Sequence, residues 1–237
     1  MNLHVKMSWH APCIMIYMTH QTLQPPRILL DFDGTITKRD SVDAVLECFA
    51  LPQWHEVEEE WESGAIGSLE CLQRQVALIR ATPYAMDRFI DSIEVDASLS
   101  DLLMYCRQSG VPVSVVSDGF ERSVRRVLDR VGEVCDIKAN QLMPLGHDRW
   151  TLTHPFAHAG CISGAGTCKC HAAAASPTIL IGDGRSDFCV AHQASLVFAK
   201  GRLAQYCQDH HLPHIPISHL GDVLAPLSQR LAIGLAA

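Results

Sequence analysis

The stretch Ile28 to Thr37, ILLDFDGTIT, constrains this chain more than any other. Ile28-Leu29-Leu30 has the length and composition of a buried strand. It stops at Asp31, a second acid follows at Asp33, and Gly34 permits a sharp turn. Side chains two apart on extended backbone leave on the same side, so Asp31 and Asp33 are expected to converge while Phe32 faces the packing. Two carboxylates held that close repel each other and call for a cation or a shared proton. Taken alone, the same residues equally describe a turn that caps a helix starting near Ser41.

The rest of the chain repeats the theme. Val113-Ser114-Val115-Val116 reads as a second buried strand running into a hydroxyl and a glycine turn at Ser117-Asp118-Gly119. Lys169 heads an alanine-rich helix, and Thr178-Ile179-Leu180-Ile181 is a third strand running into Gly182-Asp183-Gly184-Arg185-Ser186-Asp187. Polar residues gathered at successive strand ends are the pattern of an open parallel sheet, which binds ligands beyond the carboxyl ends of its strands. The expected fold class is α/β, a Rossmann-like doubly wound parallel sheet carrying an inserted helical-bundle cap.

Asp40 to Asp96 reads as four helices: Asp40 to Phe49, Pro52 to Trp61 ended by Gly64, Ser68 to Arg80, and one following Pro83. A block placed between the first two sheet strands cannot lie in the sheet. The expected organisation is therefore a flexible extension over 1–26, a core over 27–39 and 97–237, and a cap over 40–96. Met18 is a plausible alternative start. Beyond the cap the spacing predicts a helix from Leu99 to Ser109 and a helix from Phe120 to Val131 whose Arg122, Arg125, Arg126 and Arg130 form a solvated face. It also predicts a strand from Val134 to Leu142 with a hairpin arm at Trp150 to Thr153, a helix from Ser186 to Gln193, a strand from Leu196 to Ala199, a helix from Arg202 to His210 and an edge strand at Ile215.

A chain of 237 residues buries roughly 70 to 75% of its unfolded surface, enough for one α/β domain and a small accessory domain. Its net charge of -7 argues against nucleic acid or an anionic membrane as partner. No apolar run reaches the roughly 20 residues needed to span a bilayer. The ten cysteines are scattered through a long chain and are expected to be reduced thiols in the cytoplasm. Cys161, Cys168, Cys170 and His171 cluster around Lys169, but their spacing departs from structural zinc sites. They are read as thiols at a site rim, with a zinc knuckle as the minority reading.

Together the motifs at Asp31-Phe32-Asp33-Gly34-Thr35, Ser117, Lys169 and Asp183-Asp187 resemble the haloacid dehalogenase superfamily of phosphohydrolases. Lys169 stands 14 residues before Asp183, the superfamily's placement. The resemblance implies hydrolysis of a small phosphomonoester, with Asp31 as nucleophile and Asp33 as general acid for the leaving group, then base for water. Asp33 also offers its backbone carbonyl to a metal. Asp183 would ligate that metal and Asp187 would orient the site or add a ligand. Lys169 would pair with phosphate and Asp31, while Ser117, Gly34, Thr35 and Gly119 would hold the phosphoryl group. Asp40 and Asp118 are further candidate substrate contacts, although Asp118, like Ser117, equally suits a helix cap. A carboxylate approaching a phosphate dianion needs a hard divalent cation, and Mg²⁺ is the expected cofactor.

Within the superfamily the inserted helices resemble the subgroup of phosphoserine phosphatases and of the methionine-salvage 2-hydroxy-3-keto-5-methylthiopentenyl-1-phosphate phosphatases. The latter resemblance is the closer. It shares Asp40 where phosphoserine phosphatases carry glutamate, Gly166-Thr167-Cys168 beside the lysine, and Phe198-Ala199-Lys200. Two departures are Ser117-Asp118-Gly119 in place of Ser-Gly-Gly and a less cysteine-rich segment around Lys169. A phosphoserine or phosphoethanolamine phosphatase, a phosphotransferase and a non-catalytic binding module stay open, as do monomer and homodimer.

Overall fold

β1 (Arg27–Leu30) is the central strand of a seven-stranded sheet. The computed structural model describes residues 26–161, 163–174 and 177–232, so the expectations for the first 25 residues, Met18 included, lie outside the described residues. The sheet order is β4-β3-β2-β1-β5-β6-β7, made with β2 (Val113–Phe120), β3 (Asp136–Leu145), β4 (Arg149–Thr153), β5 (Thr178–Gly182), β6 (Leu196–Ala199) and β7 (Ile215–Pro216). Every pairing is parallel except that of β3 with β4, which form an antiparallel hairpin. The chain builds outward from β1 in one direction through β2 and β3, then returns to add β5 on the other side. That reversal opens a crevice at the carboxyl end of β1, where open α/β sheets bind ligands.

Helices cover both faces, which is why β1 reads as unbroken apolar residues rather than as an alternating pattern. Ile28, Leu30 and Phe32 pack with α5 (Leu99–Gln108), α6 (Glu121–Val131) and α10 (Gly221–Ala232), so Phe32 does face the packing. Leu29 faces the opposite layer of α7 (Lys169–Ala173), α8 (Phe188–Ala191) and α9 (Gly201–Asp209).

Between β1 and β2 lie α1 (Ser41–Phe49), α2 (Trp54–Glu62), α3 (Ser68–Leu78) and α4 (Pro83–Ile90). Their apolar faces share a cluster with Phe120, Leu142, Trp150 and Leu152, so the β3-β4 hairpin packs directly against them. Trp150 Nε1 donates to the Ala81 carbonyl at 2.8 Å, and the Ala81 amide donates to the Asp148 carbonyl at 3.0 Å.

Three details differ from the sequence expectation. Ser117-Asp118-Gly119 is not a turn but lies within β2, which runs to Phe120 with a register shift against β3 between Val116 and Phe120. The helix expected from Ser186 to Gln193 is broken into a 3₁₀ turn (Arg185–Asp187) and α8. The arginines of α6 are not a solvated face. Arg122 grips Asp87 of α4 through Nε at 2.6 Å and through Nη2 at 2.8 Å. Arg126 pairs with Asp87 and Asp91, Arg130 donates to the carbonyls of Asp91 and Ile93, and only Arg125 stays on its own helix, with Glu121. The carboxylates that recruit them lie about 35 residues earlier in the chain, beyond any helical period.

The Arg122-Asp87 pair is bidentate and its side chains are only 28% and 23% exposed. A double-mutant cycle of Arg122→Ala and Asp87→Ala should show a coupling on the order of 1 kcal/mol in chemical denaturation. A coupling of zero would mean the contact does not tether α4 to α6.

Candidate active site

Asp31 is the first residue past β1 and is buried. Its Oδ1 lies 2.6 Å from Lys169 Nζ and accepts from the Phe32 amide at 2.8 Å. Lys169 opens α7 with its side chain 2% exposed, and the ammonium also donates to Asp187 Oδ1 at 2.7 Å and Ser186 Oγ at 2.8 Å. Its three N–H bonds are thus all engaged. Asp187 is held from its other oxygen by the amides of Asp183 (3.1 Å) and Gly184 (3.2 Å). Asp183, just past β5, accepts from the Thr35 hydroxyl at 3.0 Å. Among the described residues, Asp31, Asp183 and Asp187 are the acids whose oxygens come within 4.8 Å of one another, as a bound metal ion would need.

The charges do not balance. Asp31 and Asp187 share the Lys169 ammonium, and the charge of Lys200 acts on Asp183 from farther off, so three carboxylates face two ammoniums and negative charge is in excess. Burial and then the neighbouring Asp187 push the pKa of Asp31 well above the usual range, against the pull of Lys169. Asp183 is raised for the same reasons, burial first and Asp187 second. The pKa of Lys169 is raised as well, which for an ammonium favours the charged form. Burial would lower its pKa, but Asp187 and Asp31 overcome that and hold the ammonium charged. Oxygen-only ligands carrying excess negative charge fit a hard divalent cation.

Asp33 is directed elsewhere. Its Oδ1 accepts from the amide of Ser41 at 3.0 Å and from the Ser41 hydroxyl, and its Oδ2 accepts from Ser117 Oγ at 2.8 Å. Ser117 is fully buried and its oxygen also accepts from the Gly119 amide at 2.8 Å. The structure therefore sets Ser117 against Asp33. Asp40 caps α1, accepting from the amides of Val42 (2.8 Å) and Asp43 (3.1 Å). Solvent reaches Asp40, yet its carboxyl is crowded by protein and by Asp33 and Asp43, which raises its pKa. Asp118 is tied to structure as well: Oδ1 accepts from the Thr167 amide at 2.9 Å and from Asn140 Nδ2 at 3.2 Å.

Three glycines make room for the acids. A Cβ at Gly34, where φ is +70°, would sit 2.4 Å from Asp183 Oδ2; one at Gly119 would sit 2.4 Å from Asp33 Oδ2, and one at Gly182 2.3 Å from Asp187 Oδ2. Sequence reasoning did not find Gly182, Ser41 or Asn140, because nothing local signals their distant partners. The cysteine expectation needs one correction. Cys170 and Cys189 are joined by a disulfide between α7 and α8, whose packing brings the two Cα atoms to 6.1 Å, whereas Cys161 and Cys168 are free thiols.

Comparison with known proteins agrees with this geometry. A family model described as haloacid dehalogenase-like hydrolase matches residues 28–192. The chain belongs to that family. It is 30% identical over 217 residues to a 2-hydroxy-3-keto-5-methylthiopentenyl-1-phosphate phosphatase of Geobacillus thermodenitrificans, covering 87% of this chain and 96% of the relative. It is 28% identical over 228 residues to a polyol phosphate phosphatase of Saccharomyces cerevisiae, covering 86% and 93%. A substrate-bound phosphoserine phosphatase shares the fold with a TM-score of 0.61 at 18% identity, over 85% of this chain and 97% of that one. With phosphatases as relatives, this member of the family is a phosphoric monoester hydrolase. Among the described residues no helix is long and apolar enough to cross a membrane.

Asp118 offers a test of the site's electrostatics. Burial lifts its pKa to about 6 despite the hydrogen bonds it accepts. A carboxyl raised on folding contributes stability below its unfolded pKa, and that contribution is lost as pH rises through the folded value. Between about pH 4 and 6 the native protein should therefore lose stability through this group, and Asp118→Asn should remove the loss. Melting curves at pH 7 should show the variant more stable by about 2 kcal/mol, with the gap closing by pH 4; a variant no more stable at pH 7 would contradict this.

Proposed function

We propose that this phosphatase hydrolyses a small phosphorylated metabolite through a covalent phosphoryl-aspartate on Asp31, with Mg²⁺ as cofactor. The observation that carries the reading is the cluster of three carboxylates, two of them buried and sharing the Lys169 ammonium, with negative charge in excess. Asp31, Asp183 and the backbone carbonyl of Asp33 would hold the ion, with Asp187 fixing their surroundings. The ion supplies charge neutralisation that lets an anionic carboxylate approach an anionic ester.

Lys169 and the Phe32 amide both address Oδ1 of Asp31, which leaves Oδ2 to attack phosphorus. The bond between phosphorus and the ester oxygen breaks as the Asp31-phosphorus bond forms, and Asp33 gives its proton to the departing alkoxide. Asp33 then takes a proton from water, whose oxygen displaces Asp31 and releases inorganic phosphate. Ser41 and Ser117 hold the Asp33 carboxyl from two sides in one orientation for both transfers. The helices α1–α4 act as a cap that receives the leaving group.

For the substrate, the identity to methylthiopentenyl-phosphate phosphatases supports an enol or keto pentose-like phosphate. A second reading, a polyol phosphate, is favoured by the cap's own chemistry. Asp43 and Glu58 belong to α1 and α2, and Asp43 lies close enough to repel both Asp33 and Glu58. Such carboxylates accept hydrogen bonds from a leaving group rich in hydroxyls.

Hydrolysis of p-nitrophenyl phosphate should require Mg²⁺, stop with EDTA, and fall by more than about 10³-fold in Asp31→Asn without loss of the folded state by circular dichroism. Activity of Asp31→Asn near wild type would remove the assigned nucleophile. A panel of the methylthiopentenyl phosphate, polyol phosphates, phosphoserine and phosphoethanolamine ranks the substrates by kcat/KM.

A further inference from the structure

Four separate parts of the chain meet just outside the acid cluster. Asn140 on β3 is fully buried. Its amide nitrogen donates to the Asp118 carbonyl at 2.6 Å and to Asp118 Oδ1 at 3.2 Å, so its oxygen is left to accept. It does so from His154 Nδ1 at 2.8 Å and from the Thr167 hydroxyl at 3.4 Å. Since Asn140 presents only its oxygen there, His154 must carry its proton on Nδ1. Asp118 Oδ1 closes the circuit by accepting from the Thr167 amide at 2.9 Å.

The loop it captures leaves no slack. A Cβ at Gly166 would sit 2.5 Å from both Asn140 Oδ1 and His154 Nδ1, and the Cys168 amide donates to the Phe156 carbonyl at 3.1 Å. Lys169 is the very next residue, and its helix is a mere five residues long, with no side-chain cap of its own. On the other arm, Asp118 is bonded in sequence to Ser117 and Gly119, which position Asp33.

We propose that Asn140 is a positioning residue for catalysis. By ordering Asp118, His154 and Thr167 around one amide, it fixes the loop that delivers Lys169 to Asp31 relative to the strand end that orients Asp33. None of the clamp's side chains reaches the acid trio; they act through the loop and the strand end. The proposal rests on the phosphatase mechanism above, so its test has an arm independent of turnover.

Asn140→Asp keeps the shape of the side chain but turns an acceptor toward the two Asp118 oxygens. It should lower kcat on the order of 10²-fold, the scale of a small misplacement of reacting groups, with KM unchanged, and should speed amide exchange at Thr167 and Cys168. Asp118→Asn keeps an oxygen for both donors, so slow exchange at Thr167 should persist in it. Slow exchange at the Thr167 amide is expected in the wild type, and this can be measured whether or not any variant folds. Rapid exchange there, or Asn140→Asp with wild-type kcat, would overturn the proposal. Wild-type protein without turnover but with a protected Thr167 would instead sink the mechanism and leave the clamp standing.

Discussion

The ammonium of Lys169 sits between Asp31 and Asp187 with essentially no solvent, and the architecture follows from the need to assemble that group. A buried charge without a partner is expensive, and so is a buried pair with poor geometry. The sheet order answers this. Placing β1 beside β5 sets Asp31 and Asp183 at adjacent strand ends, and the 3₁₀ turn after β5 swings Asp187 back beneath them. The short helix α7 then needs only to drop one lysine between two acids. With each acid anchored by backbone amides or by Thr35, the repulsion among the three cannot be relieved by their moving apart. On the proposed mechanism it is relieved by a bound cation.

Crowding acids this tightly has a steric cost that the chain meets with glycine. Gly34, Gly119 and Gly182 each lie where a Cβ would overlap a carboxylate oxygen, and each serves a different acid. The recurrence of glycine beside aspartate in D-F-D-G, S-D-G and G-D-G is therefore a packing requirement as much as a turn preference. Gly34 combines both needs, since its φ of +70° suits glycine in any case.

How much of this was legible beforehand depends on the range of the interaction. β1, β2 and β5 declare themselves through short apolar runs, and Asp31, Asp33 and Asp183 through their position at the run ends. Lys169 is visible only through its likeness to a family spacing, because a lysine before an alanine-rich helix carries no local mark of burial. Contacts made between distant segments were opaque. Arg122, Arg126 and Arg130 look like solvated charge on a helix, and nothing near them reveals that Asp87 and Asp91 will fold against them. For Asp118 the sequence offers a substrate contact or a helix cap; the partners the fold gives it, Asn140 and the Thr167 amide, lie 22 and 49 residues away.

The hold on Asp33 ties chemistry to the inserted helices. One of its oxygens is bonded by Ser117, from the core strand β2, and the other by Ser41, the first residue of α1. On the proposed mechanism this carboxyl must give a proton to the leaving group and later take one from water, so its orientation matters at both steps. Any displacement of α1 would withdraw Ser41 and free half of that carboxyl. The opposite end of the helical block is bolted down as well, α4 by Arg122 and Arg126 of α6 and the segment before α4 by Trp150 of β4. The other helices of the block are held too: Leu72 and Val76 of α3 pack with Trp150 and Leu152, Arg185 stacks over Trp61 at 4.8 Å, and the Leu69 amide donates to the Gly164 carbonyl at 3.0 Å, so Ser41 is kept against Asp33 by contacts along the whole block.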